Sequence, residues 1–174
     1  MKFFAKWISI FLILAFIGNI SFAVQSASQQ ATFTVDVASV FELSIDQGFI
    51  DFGRMSPGET KWNMPPAGIM VQAKTNGGKQ WFLKINNDTP FTSGKNVIPN
   101  SNFYWYGWSN GTGKWYGTGN NALSVTPALV YSSGPGEENN LPQGTISFLK
   151  FKLKVPENQA PGNYITVVKF TMTE

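Results

Sequence analysis

Beyond residue 30 the apolar residues of this chain fall at every second position. They come in short runs cut by Gly, Pro and Asn, with almost no helical spacing. Phe33, Val35 and Val37 alternate with Thr32, Thr34 and Asp36, and Phe41, Leu43 and Ile45 follow around Glu42 and Ser44. Ile69, Val71 and Ala73 make a third run, and Trp81, Leu83 and Ile85 a fourth. Thr75-Asn76-Gly77-Gly78 lies between them and has the residues of a tight hairpin, since Asn and Gly accept positive φ. Further runs cover 103–108, 123–131, 145–155 and 164–173, while 87–102 and 132–144 read as loops. In 145–155 the apolar parity changes from Ile146 and Phe148 to Leu149, Phe151, Leu153 and Val155, which predicts a β-bulge or bend near Phe148. In the last run Tyr164, Thr166, Val168, Phe170 and Met172 share one face, opposite Ile165, Val167 and Lys169. Both faces are apolar at first, which predicts a strand central in its sheet. Strands spaced in this way predict an all-β fold: one antiparallel β-sandwich, Ig-like or pilin-like, over 31–174. No internal repeat or second domain is visible.

The first 23 residues read as an export signal. Lys2 and Lys6 precede an apolar stretch from Trp7 to Ile17, and Ser21-Phe22-Ala23 has the small-x-small pattern of a cleavage site. Gly18 and Asn19 keep the apolar run well below the ~20 residues that span a bilayer. Cleavage after Ala23 would leave a flexible leader, 24–30, ahead of the sandwich, with no membrane span afterwards. The expected location is the periplasm, the cell surface or the extracellular space.

Lys2 and Lys6 also account for most of the excess of 13 basic over 10 acidic residues, so electrostatics give nucleic acid little support as a partner. Lys150, Lys152 and Lys154 are the one cluster of positives, alternating along one strand face as lysines that keep an exposed surface or a sheet edge soluble do. The chain has no Cys and no His, which excludes disulfides, thiol catalysis and a Ser-His relay. It also removes the usual ligands of zinc, copper and haem, and no cofactor or metal is expected. Burial must hold the domain together, and a chain of this size can bury about 68–70% of its unfolded surface.

Two stretches carry a family likeness. "IDFGRMSPGE" at 50–59 sets a Phe-Gly pair ahead of a Ser-Pro-Gly turn, and "VPENQAPGNYITVVKFTMT" at 155–173 sets Pro-Gly and Tyr ahead of a closing alternating strand. This layout resembles the spore coat protein U domain and related secreted pilin-like subunits, whose aromatic middle section "FYWYGWSNGTGKWYG" loosely echoes. The resemblance implies a secreted β-sandwich serving as a coat or fibre subunit. The chain departs from that pattern in lacking the cysteine pair near the domain start and the terminal Tyr. Its early Phe-Gly is also shared with sandwiches of the WxL type. On residue chemistry alone, Pro161-Gly162 and Gly53 are fold punctuation.

The aromatic stretch 102–117 is the principal candidate for contact with a ligand or another subunit. Alternation turns Phe103 and Trp105 inward and Tyr104, Tyr106 and Trp108 outward, with a turn at 109–113 and Trp115 and Tyr116 returning on the next strand. Those five residues suit core or loop cover, a subunit contact or a platform for sugar rings. The carboxylates offer less. Asp46 and Asp51 flank "QGFI", and Glu137 and Glu138 sit beside Asn139 in a breaker-rich loop. Neither pair forms a recognisable acid/base motif or calcium loop. No catalytic residue stands out, and the chain is expected not to be an enzyme.

Ala31, Phe33, Val35 and Val37 read first as the molecule's own opening strand. The alternative is a donor strand that completes a neighbouring subunit. The function expected is a structural or surface protein, a pilus, fibre or coat subunit that adheres to copies of itself or to related subunits. The alternative is a carbohydrate-binding module with polysaccharide as partner.

Overall fold

The computed structural model describes residues 29–63 and 68–174. The expected export signal, and the leader up to residue 28, lie outside the described residues. Residues 29–36 carry no strand, and the compact unit begins at Val37.

That unit is an all-β sandwich of antiparallel sheets, built from β1 (Phe41–Ile45), β2 (Thr60–Trp62), β3 (Ile69–Thr75), β4 (Phe82–Asn87), β5 (Phe91–Ser93), β6 (Asn96–Ile98), β7 (Phe103–Ser109), β8 (Lys114–Trp115), β9 (Asn121–Ala122), β10 (Ala128–Ser132), β11 (Thr145–Lys154) and β12 (Val168–Thr173). One sheet runs β1-β3-β11-β7-β9, with β2 paired to the second half of β11. The other runs β12-β4-β10-β8, and β5-β6 is a separate hairpin. Alternate residues of β3, β4, β7 and β11 point between the sheets. There Val71, Trp81, Leu83, Ile85, Leu149 and Phe151 are almost fully buried.

Several expectations are corrected. Residues 31–37 are not an opening strand: among the described residues the first strand is β1, and Phe33, Val35 and Val37 are 92%, 87% and 74% exposed. Thr75-Asn76-Gly77-Gly78 is not a hairpin, because β3 and β4 belong to different sheets. It carries the chain across the sandwich. Gly78, at φ +69, donates its amide to the Glu138 carbonyl at 3.0 Å, and Trp81 plugs the core with its Nε1 donating to the Glu137 carbonyl at 3.0 Å. The residues that suit a hairpin also suit this crossing, since both need positive φ.

The predicted bulge near Phe148 is absent. Thr145, Ser147, Leu149, Phe151 and Leu153 face inward without a break, and the β11–β7 register is continuous. The register shift falls instead in β10, between Leu129 and Tyr131, where Val130 is wholly buried. Of the expected 123–131 strand only the part from Ala128 onward forms, as β10, while the short β9 lies just ahead of it at Asn121–Ala122; the expected 87–102 loop holds the β5–β6 hairpin. The last run forms a continuous strand only from Val168 onward, with Ile165 ahead of it making a single antiparallel bridge to Thr92, and β12 lies at the edge of its sheet rather than at its centre.

Candidate functional site

The five aromatic candidates separate. Tyr104, Tyr106 and Trp108 do share the outer face of β7, with Phe103 and Trp105 buried behind them. Trp115 does not join them. The turn after β7 passes the chain to the opposite sheet, where β8 pairs with β10. Its ring packs edge-on to Trp105 at 6.3 Å and near Tyr131 at 6.4 Å, and its Nε1 is buried with no partner among the described residues. Tyr116 lies on the outside of that second sheet. Lys114 Nζ sits 4.8 Å from its ring centroid, and its hydroxyl is 3.4 Å from Ser132 Oγ.

Sequence reasoning missed the neighbours of β7. Register places Phe148 opposite Trp108, Lys150 opposite Tyr106, and Lys152 between Tyr104 on one side and Trp62 of β2 on the other. Trp108 stacks on Phe148 at 5.2 Å and 21°, and Trp62 meets Tyr106 edge-on at 4.9 Å. Phe148 had a readable signal: its apolar side chain at an outward position looked like a parity error.

The carboxylates are engaged in structure. Asp46 Oδ1 accepts the Met70 amide at 2.9 Å, and Asp51 Oδ1 accepts the Gly53 amide at 2.7 Å. Glu137 is buried. Its Oε2 accepts the Tyr131 hydroxyl and the Gly134 amide, both at 2.6 Å, and its Oε1 accepts the Thr145 hydroxyl at 2.7 Å. Burial, and then the hydrogen bond to Glu137, push the Tyr131 hydroxyl well above its ordinary pKa of 10.0. Among the described residues no group of three or more carboxylates is placed to hold a metal ion, and no helix is long and apolar enough to cross a membrane.

A cleft of about 920 Å³ opens between the sheets beside β12. Phe103, Phe151 and Leu153 form its floor on the first sheet, and Val168 and Phe170 of β12 wall it on the second. The 46–57 segment, with Phe52 set edge-on to Phe91 and Phe103, lines another side. Phe41 and Ile45 of β1 pair with inward-facing Thr75 and Val71, yet are 43% and 44% exposed. Ile165 and Val167, just before β12, are 61% and 55% exposed. The two sheet edges, β1 and β12, therefore stand with apolar residues uncovered.

No protein-family model matches this sequence, and no curated protein matches it.

Proposed function

We propose that this chain is a non-enzymatic, exported structural protein, a coat or pilus-like fibre subunit located in the periplasm, at the cell surface or outside the cell. Its Ala31–Val37 run completes the sandwich of a neighbouring copy. The observation that carries this reading is a mismatch within the fold. An alternating apolar run has no strand partner among the described residues, while β12 ends its sheet as an unpaired edge beside an apolar cleft. Strand addition would supply what each lacks, main-chain partners for the edge and cover for the apolar side chains.

The dimensions agree. Seven extended residues span about 23 Å at about 3.3 Å each, comparable to β12 with the residues leading into it. Period-2 spacing lets Ala31, Phe33, Val35 and Val37 enter the cleft together while Thr32, Thr34 and Asp36 stay in water. A segment leading into its own compact unit, filling a cleft elsewhere on the next copy, makes a head-to-tail contact, which generates open filaments. The likeness to spore coat protein U and pilin-like domains points the same way.

The test is light scattering and electron microscopy of the chain from residue 24, beside the double variant Phe33→Asp, Val35→Asp. The unaltered chain should form concentration-dependent linear polymers. The variant should remain monomeric with the same far-UV circular dichroism, because both residues lie outside the core. A chain that stays monomeric at every concentration, or a variant that still polymerises, overturns the reading.

A further inference from the structure

We propose that the outer face formed by β2, β11 and β7 is a binding surface for an acidic polysaccharide, with uronate-type sugar rings lying across Trp62, Tyr104, Tyr106 and Trp108 and their carboxylates meeting Lys150 and Lys152. The surface is independent of the cleft, which lies on the inner side of the same sheet.

Rings and ammonium groups alternate across three paired strands. Lys152 Nζ stands 5.2 Å from the Trp62 ring centroid and 4.6 Å from that of Tyr104, and Lys150 Nζ stands 6.0 Å from that of Trp108. Each lysine is thus held against aromatic faces at cation–π range instead of trailing freely into water. The pattern comes from register: inner-face residues Leu149, Phe151 and Leu153 fix which side chains of β11 face out, and these are Phe148, Lys150, Lys152 and Lys154.

The charge on this face is unbalanced. The salt bridges among the described residues use Lys61, Lys79 and Lys169, and none involves Lys150, Lys152 or Lys154. Lys152 is steadied by a neutral group, donating to Asn120 Oδ1 at 2.8 Å. Trp62 and Trp108 are also 41% and 45% exposed, which is apolar ring surface the fold leaves in water. Flat rings suit the apolar face of a sugar, and the unpaired ammonium groups suit a carboxylate on that sugar. A neutral glycan would use the rings and leave the lysines idle. Single-stranded nucleic acid also pairs stacking with positive charge. The whole chain, however, carries a net of only +3, so the wide positive field that draws phosphate backbones is missing.

Affinity electrophoresis and calorimetry of the full chain test this with three probes: polygalacturonate, its fully methyl-esterified form, and a thymidine oligonucleotide. Polygalacturonate should bind and weaken as salt rises, and the ester, which keeps the rings but loses the charge, should bind at least tenfold more weakly. Trp62→Ala and Lys152→Ala should each lower the affinity about tenfold, while Lys79→Ala leaves it unchanged. Lys152→Arg should retain binding, and unchanged thermal melting of each variant separates loss of contact from loss of fold. Equal binding of the ester, binding of the oligonucleotide alone, binding indifferent to Lys152, or no binding of any probe overturns the proposal.

Discussion

Glu137 is a buried carboxylate with no ion-pair partner among the described residues, held by three donors from three parts of the chain. Tyr131 reaches it from β10, Gly134 from the turn that follows, and Thr145 from the first residue of β11. The Tyr131 hydroxyl in turn accepts the Gly113 amide at 2.6 Å, so the turn after β7 is tied to the same point. Gly111 is needed there, because a Cβ at that position would collide with Glu137 Oε1 and the Tyr131 hydroxyl. Removing the carboxylate strands all three donors in a dry site. Glu137→Ala should therefore lower stability by about 3 kcal/mol, and Glu138→Ala next door by less than about 0.5 kcal/mol. Urea unfolding, read as a shift in midpoint at constant slope, checks both values. None of this was legible in "GPGEENN", where paired acids in a breaker-rich loop read as solvated. What distinguishes Glu137 from Glu138 is the three donors folded around it, and those come from positions distant in sequence.

β12 shows how an element can be legible in content and misplaced in context. Its apolar spacing marks a strand, and apolar residues on both faces of the approach mark a strand with neighbours on both sides. Among the described residues its one sheet neighbour is β4. The Asp88 amide donates to the Val167 carbonyl at 3.1 Å, so Val167 points its main chain toward β4, and alternation turns the amides of Val168, Phe170 and Met172 to the open side. In the monomer those three amides should exchange hydrogen quickly, while Lys169 and Thr171 are protected. In polymers all five should be slow, and exchange measured by NMR or mass spectrometry on both forms reads the difference residue by residue. Slow exchange at Phe170 in the monomer, or fast exchange there in the polymer, would contradict strand addition at this edge. β11 fails to read plainly for a related reason. Its inward positions begin with Thr145 and Ser147, while outward Phe148 has an aromatic partner in Trp108. Two local exceptions to inside-apolar, outside-polar thus mimic a change of face. The hairpin expected at 75–78 failed because turn chemistry specifies φ and not which sheet the next strand joins.

At the scale of the molecule, the two-layered architecture was the most legible property, because period-2 alternation and turn residues act locally and recur along the whole chain. The cleft was not legible, since an uncovered groove depends on which strands are missing from a sheet, and sequence spacing cannot count them. The same logic makes a prediction. If the sandwich is complete only with a strand from elsewhere, then the chain starting at residue 38 should be folded yet less stable than the filled form, and a free peptide should repair it. A peptide covering 29–38 at a hundred times its dissociation constant adds about 2.7 kcal/mol to stability through mass action alone, about 10 °C in melting temperature for a domain of this size. The shift should grow with the logarithm of peptide concentration once the site is saturated. Replacing Phe33 and Val35 by Asp in the peptide should abolish it, because a charge entering an apolar cleft without a partner loses more than the strand pairing returns. Replacing Thr32 and Thr34 by Ser, on the face left in water, should leave it intact. A melting temperature indifferent to the peptide would mean that the cleft is closed to this segment, and the unpaired run and the unpaired edge would then need separate explanations.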